Sequence, residues 1–408
     1  MNSVQASFGR LVFQARIILG IRAVRVFCDS FIALMIPLYL TARGFDAVAV
    51  GTIASCMLLG SAFTIGAAGV LAHRVGLRVL LCVASLSMVV SGIGWSLDAA
   101  LPSLFLIAFF GSLNPHGGEA NLFRPIEHAA LAELVPPASQ TTVFGYYSFI
   151  GAMAGALGAL SIGVLPAIFD ALGRHTASTA IFLGYAVLGG AVLAIYARLG
   201  LNGAEAPRQR ALAPGSRGRV AKLTAIFCVD AFGGGFVVNA LIILWLTSRF
   251  GTSVAESGAL FFTAGVMAAA AQLFAAPISR RIGLGGTMLI GHVPSSLLLI
   301  GAAMAPTFGI AAACLILRGF LSQLDVPTRA AFVFSQVAPV ERAAAISLTL
   351  MPFSLAAAAA PFLSGWLLQA SSTIGWHLLA AGVVRLVYAV LFFFFVLHHR
   401  IGDIRPSP

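Results

Sequence analysis

Apolar stretches follow one another along nearly the whole chain, each closed by a short polar or glycine-rich connection. Many run to about 20 residues, the length at which a helix crosses about 30 Å of hydrocarbon. The pattern predicts an all-α polytopic membrane protein. Connections fall after residues near 42, 72, 98, 136, 168, 199, 249, 279, 305, 339 and 371, which gives twelve transmembrane helices with both chain ends on one side. The N-terminal stretch has no small-residue cleavage pattern, so the first apolar run is expected to stay as a span.

Residues 201–220 make the longest polar connection and divide the chain into nearly equal parts. An internal repeat spans that divide. Phe-Cys-Asp-Ser-Phe (27–31) recurs as Phe-Cys-Val-Asp-Ala-Phe (227–232), and Leu-Tyr-Leu-Thr-Ala-Arg (38–43) as Leu-Trp-Leu-Thr-Ser-Arg (244–249). His-Arg-Val-Gly-Leu (73–77) recurs as Arg-Arg-Ile-Gly-Leu (280–284), and Pro125 and Pro137 match Pro327 and Pro339. Four matches in order predict two pseudo-symmetric six-helix bundles, residues 1–200 and 221–408, joined by a cytoplasmic central loop. Repeated halves with a site at membrane mid-depth are the architecture of secondary transporters.

Composition agrees: of 408 residues, 60% are hydrophobic and 9% charged, outside the range of soluble domains. The formal net charge of +11 changes the picture only through its placement. Connections on the side of the termini hold most of the Lys and Arg, among them Arg74, Arg78, Arg217, Arg219 and Lys222. The opposite side holds only Arg43, Arg174 and Arg249. This places both termini in the cytoplasm and the chain in the cell inner (plasma) membrane, and argues against a nucleic-acid footprint. Cys28, Cys56, Cys82, Cys228 and Cys314 have no metal-motif spacing, and buried free thiols are expected; a soft-metal or metalloid site is the alternative. No phosphate-cradling loop, His-Glu-x-x-His or nucleophile elbow is present, so the chain is read as no enzyme, with no cofactor and no bound metal, driven by the proton gradient.

Twelve spans in a 6+6 repeat with a basic central loop resemble the major facilitator superfamily over essentially the whole chain. The connection between spans 2 and 3 is the most specific match. It reads Gly69-Val-Leu-Ala-His73-Arg74-Val-Gly76-Leu-Arg78 against the family's Gly-x-x-x-Asp-Arg-x-Gly-Arg-Arg. The resemblance implies a conformational charge latch built on Gly69, Arg74, Gly76 and Arg78, with His73 in place of the acid. Histidine changes charge near neutral pH, so the latch is either impaired or pH-sensitive. Arg124-Pro-Ile-Glu127 and the glycines of span 5 loosely resemble motifs of the drug/proton antiporter branches. Asp325-Val-Pro-Thr-Arg329, with Gly117-Gly118-Glu119, is similar to bacterial efflux permeases.

Ionisable residues at bilayer depth cost several kcal/mol unless paired or wetted, and so mark pathways. In span 1, Arg22, Arg25 and Asp29 share a helix face. In span 4, Arg124, Glu127 and His128 fall within an arc of about 100°, in a helix that Pro115, Gly117, Gly118 and Pro125 are expected to break. In span 10, Arg318, Asp325 and Arg329 lie within about 40°, as a cavity wall, an Asp325–Arg329 ion pair, or both. Glu127 and Arg329 are expected either to pair across the halves as a cytoplasmic gate or to join separate pairs within them. Arg25 opposes protonation of Asp29, which leaves Asp230 and Glu119 as the first proton-carrying candidates.

The reading is a secondary active transporter working by alternating access, with proton-coupled efflux of a small molecule first and proton symport of a sugar or organic acid second. A non-transporting membrane sensor or partner subunit is the alternative from another class. A monomer in the lipid bilayer is expected. Arg124, Arg318 or Arg329 would hold an anion, Asp29 or Glu119 a cation, and both together a zwitterion.

Overall fold

A computed structural model describes residues 2–97, 99–116, 122–200, 213–338, 341–371 and 374–398. Glu119 and most of the central loop lie outside the described residues, as does the side chain of His73. The described residues are helical and contain no strand. In chain order the helices are α1 (Asn2–Ala42), α2 (Ala47–Val75), α3 (Leu77–Ser96), α4 (Leu101–Phe110), α5 (Phe123–Leu134), α6 (Pro137–Ser161), α7 (Leu165–Leu172) and α8 (Arg174–Arg198). They continue with α9 (Pro214–Gly235), α10 (Asn239–Phe250), α11 (Val254–Met304), α12 (Phe308–Gln323), α13 (Asp325–Phe334), α14 (Arg342–Ala370) and α15 (Trp376–Phe392).

Among the described residues, ten helical segments are long and apolar enough to cross a membrane, and α4 is a shorter apolar helix. The ten do not include α1 or the α4–α5 pair. The expected break in span 4 is present, with non-helical backbone from Gly111 to His116 between α4 and α5. Span 10 is nearly continuous, because Leu324 between α12 and α13 keeps helical angles (φ −63°, ψ −28°).

The internal repeat is visible in the backbone. Gly76, between α2 and α3, has φ 77°, and Gly283, which divides α11 into two helices, has φ 76°. This left-handed region is strained for residues with a Cβ, so the shared glycine makes the same tight turn in both halves. Arg43 donates to the Ala99 carbonyl at 3.1 Å, and its repeat mate Arg249 donates to Ala305 at 2.6 Å.

The chain forms two compact units. One comprises Met1–Gly44, Cys56–Arg208 and Val254–Phe262; the other comprises Phe45–Ser55, Gln209–Ser253 and Thr263–Pro408. Within the first, α1 packs on α6 and α3 on α8. The span-5 glycines serve the close approach expected of them: a Cβ at Gly155 would sit 3.0 Å from the Ser30 hydroxyl, and one at Gly158 2.9 Å from the Phe27 carbonyl carbon. Within the second, α9 packs on α14 and α15 around a core that includes Phe227, Met288, Phe332, Tyr388 and Phe392.

Glu341, just ahead of α14, ties down the start of α9. Its carboxylate accepts from the Ala213 amide at 2.6 Å, the Ser216 hydroxyl at 2.9 Å and the Ala338 amide at 3.2 Å. The Ala213 amide above all, then Ser216, hold this carboxyl below its ordinary range. A carboxyl depressed in the folded state stabilises it above the unfolded pKa, and that contribution is lost as pH falls through the folded value. Wild type should therefore unfold at a higher temperature than Glu341→Gln at neutral pH. The gap should close on acidification below the ordinary carboxylate range, as thermal unfolding in detergent would measure. A gap that persists in acid would contradict this.

Candidate functional site

Each unit encloses a network of charges, built from residues that the repeat places at matching depth. In the first unit the centre is Arg25 on α1, fully buried. Its Nη1 donates to Asp29 Oδ2 at 3.3 Å, and its Nη2 donates to both oxygens of Glu127, at 3.2 and 3.1 Å. Tyr196 on α8 donates to Glu127 Oε1 at 2.7 Å, and Tyr147 on α6 donates to Oε2. Tyr185 on α8 donates to Asp29 Oδ1 at 2.7 Å and lies 3.0 Å from the Ser112 hydroxyl. The Arg25 guanidinium also lies over the Phe123 ring, and that of Arg22 over Tyr147, at 4.1 and 4.2 Å from the centroids.

Glu127 is therefore a hub. It has 0% exposure, and three donors from three other helices converge on it. Pairing of this kind offsets the cost of burying a carboxylate. Arg124 is half-buried on α5. His128 stacks on Phe144 at 4.9 Å and meets Tyr147 edge-on at 4.6 Å.

In the second unit Asp230 on α9 is the centre. Arg385 Nε on α15 donates to its Oδ1 at 3.0 Å, and Arg329 Nη2 on α13 donates to its Oδ2. Arg329 also bonds Asp325 one turn away, through Nε at 2.9 Å and through Nη2, as its i,i+4 spacing predicts. The expectation that Asp230 lacks the cationic neighbour that Asp29 has is corrected here. Its partners come from α13 and α15, 99 and 155 residues away in the chain, where spacing along one helix cannot reveal them. Arg318 on α12 bonds neither Asp325 nor Arg329 among the described contacts, although the helix places all three on one stripe; the charges that act on it are those of Arg385 and Asp230.

The sequence reading passed over His292, on the second half of α11. It is 1% exposed and lies between the two carboxylates. Its Nε2 is 3.1 Å from Asp325 Oδ2, and its Nδ1 is 3.4 Å from Asp230 Oδ1. Nδ1 is buried without a hydrogen bond, and so is Asp325 Oδ1. A neutral imidazole carries one N–H, which Nε2 can use on Asp325. A second proton on Nδ1 would find Asp230 Oδ1 beside it with little movement. Nδ1 is therefore the ring position left open toward a carboxylate. The available signal was a single histidine inside an otherwise apolar run, and the tyrosines Tyr147, Tyr185, Tyr196 and Tyr388 were likewise ring positions in apolar helices.

Asp230, His292 and Asp325 also have the spacing of a three-ligand metal site, their donor atoms lying within 4.8 Å of one another. Arg329 Nη2 already bonds Oδ2 of both carboxylates, so a cation would have to displace a guanidinium from the same atoms. That donor set does not fit a resident metal. The five cysteines are all free, as expected, but half-buried rather than buried, with no disulfide between them.

Of the latch residues, Gly76 makes the turn described above, Gly69 and Arg74 are exposed, and Arg78 donates to the Ala197 carbonyl at the end of α8. A separate cavity of about 580 Å³ in the first unit is lined by Tyr39, Arg43, Asp170, Arg174 and His175 among others, and shares no residue with either network.

The profile of the Major Facilitator Superfamily matches residues 223–408. A computed comparison of folds aligns 94% of this chain with 100% of a point variant of the nucleoside transporter NupG, at TM-score 0.76 and 15% identity. A bacterial homolog of the human lysosomal transporter Spinster aligns over 98% of this chain and 99% of its own, at TM-score 0.74 and 14% identity. A D-xylose-proton symporter aligns over 94% and 98%, at TM-score 0.71 and 15% identity. At the sequence level, the uncharacterized membrane protein YJR124C of Saccharomyces cerevisiae is 24% identical over 270 residues, 57% of this chain; the chain spans 60% of the length of that relative. The resemblance read from the sequence is borne out, and the all-α multi-pass fold is that of the major facilitator transporters.

Proposed function

We propose that this chain, which has the major facilitator fold, is a secondary active transporter that uses the proton gradient to move a small molecule by alternating access. The observation that carries the proposal is His292, buried between Asp230 and Asp325 with one ring nitrogen unfilled beside a carboxylate. A protonatable group held among paired charges within membrane-spanning helices is what coupling requires. The first network, in which every oxygen of Glu127 and Asp29 accepts a bond from Arg25 or a tyrosine, is suited to holding helices rather than to releasing protons.

Efflux is the direction favoured by the Arg124-Pro-Ile-Glu127 and Asp325–Arg329 resemblances. Import by symport is the second reading, supported by the likeness in fold to a D-xylose-proton symporter. The Lys and Arg asymmetry supports an inner-membrane protein with both termini in the cytoplasm; a monomer without a cofactor is proposed beside it.

The test is a proton-flux screen. Proteoliposomes loaded with a pH-sensitive dye are offered sugars, nucleosides, organic acids and organic cations, with the pH gradient imposed in each direction. A compound that moves protons against a pre-set gradient identifies the cargo. Co-directional movement means symport and opposed movement means antiport. Cargo flux that proceeds without proton movement in either arrangement would refute coupling.

A further inference from the structure

The charges of the second unit do not balance. Its carboxylates among the described residues are Asp46, Asp230, Asp325 and Glu341. Asp46 accepts from the Ala49 amide at the start of α2, and Glu341 is taken up by Ala213, Ser216 and Ala338. Among the described carboxylates of this unit, that leaves Asp230 and Asp325 for Arg318, Arg329 and Arg385. With His292 neutral, the cluster holds one guanidinium more than it has carboxylates. The guanidinium without a carboxylate of its own is Arg318, half-buried on α12, and such a charge in a membrane-spanning helix is retained where something pairs with it part of the time.

The surplus has a place. Arg329 is spent on the two carboxylates, and Arg385 uses Nε on Asp230. Besides His292 Nδ1 and Asp325 Oδ1, buried atoms with no hydrogen-bond partner among the described residues include three donors on α12 and α15: Arg318 Nε, Arg385 Nη1 and the Tyr388 hydroxyl. Arg318 stands within reach of the charge on Arg385, and Tyr388 is one turn beyond Arg385 on α15, its ring 4.8 Å from that of His292. The backbone opposite is cleared for them, since a Cβ at Gly233 on α9 would lie 2.8 Å from Arg385 Cγ, and one at Gly234 would lie 3.9 Å from Arg385 Nη2.

We propose that Arg318, Arg385 and Tyr388 form a cargo subsite for a single carboxylate, which makes the substrate class an organic monocarboxylate. The inference rests on the transporter reading above and names its cargo. The planar fork of a guanidinium matches the two oxygens of a carboxylate, and two such forks with a hydroxyl supply donors in excess of what one carboxylate accepts. The charge count selects among anions. One carboxylate neutralises the surplus, a phosphate dianion over-compensates it unless His292 is charged, and a neutral sugar leaves it standing.

The test is binding, in detergent, at fixed pH and ionic strength, with no gradient. A series of monocarboxylates from propionate to benzoate is titrated into the purified protein, each beside its own uncharged amide, with succinate and inorganic phosphate as dianions. Unfolding temperature and equilibrium dialysis are the readouts. The acids should protect saturably, the amides should not, and the dianions should protect less at neutral pH. Arg318→Gln strands no carboxylate, so it should fold as well as wild type and bind the acids about tenfold more weakly or worse. Arg318→Lys should recover part of that loss. Equal protection by acids and amides, undiminished binding in Arg318→Gln, or no protection by any acid would each overturn the subsite. Because no gradient is involved, its failure leaves proton coupling standing. Proteins that bind the acids yet move no protons in liposomes would instead refute the coupling reading alone.

Discussion

Glu127→Gln should be the most damaging single substitution in the first unit. The carboxylate has 0% exposure and takes bonds from Arg25, Tyr147 and Tyr196. An amide in its place turns one acceptor oxygen into an NH₂ that points at donors, and it removes a charge from Arg25. Breaking a buried ion pair from one side costs about 3–5 kcal/mol, because the other charge is left in a medium that cannot solvate it. Asp29 still faces Arg25, which places Glu127→Gln toward the lower end of that range. The measurement is a denaturant or thermal unfolding series on purified protein. Arg25→Met alone should also be costly, since it leaves two carboxylates facing each other's field. In the double variant Arg25→Met/Glu127→Gln one charge of each sign is gone, so the double loss should be well below the sum of the single losses. Strict additivity would mean that the two residues do not act as a pair, and the hub would have to be abandoned.

The fold was legible in the sequence because it rests on two strong local signals, the recurrent apolar run and the repeat. Gly76 and Gly283 are the clearest case, similar short sequences making the same turn with φ 77° and 76°. Asp325–Arg329 was legible for the same reason, its geometry being contained within one helix. The rest of each network was not. Glu127 finds Arg25 across 102 residues, and Asp230 finds Arg385 across 155. A guanidinium and a carboxylate on different helices carry no periodicity that links them, so several pairings fit one sequence equally well. Within its own unit Glu127 bonds Arg25 and two tyrosines, and Arg329 bonds Asp230 and Asp325. Tyrosines were harder still, because an apolar helix uses them as bulk, and only the position of the hydroxyl shows that Tyr147, Tyr185 and Tyr196 are donors to buried charge. Arg385 had no account in its own helix. Its account lies on α9, at Asp230 and beside Gly233.

His292→Gln should abolish gradient-driven accumulation while leaving exchange in place. One proton moved with each cargo molecule across one pH unit supplies about 1.4 kcal/mol, which sustains about tenfold accumulation. Glutamine can keep a hydrogen bond to Asp325 but cannot take up a proton near neutral pH. The variant should therefore equilibrate cargo across the liposome and stop there, with an accumulation ratio of about one, while counterflow of labelled against unlabelled cargo continues. Asp230→Asn is the informative contrast. It takes the charge away from Arg329 and Arg385 together, so both guanidiniums lose their strongest acceptor and the cost falls on the structure as well as on coupling. Asp230→Asn should thus lose exchange and accumulation alike, with a lower unfolding temperature, whereas His292→Gln should lose accumulation alone. If His292→Gln accumulates cargo as wild type does, the proton does not travel on that ring. Exchange lost in both variants would reduce His292 to a brace between the carboxylates. The distinction is sharp because the two residues are neighbours at 3.4 Å but hold different ends of the problem, one the resident cations and the other the vacant proton position.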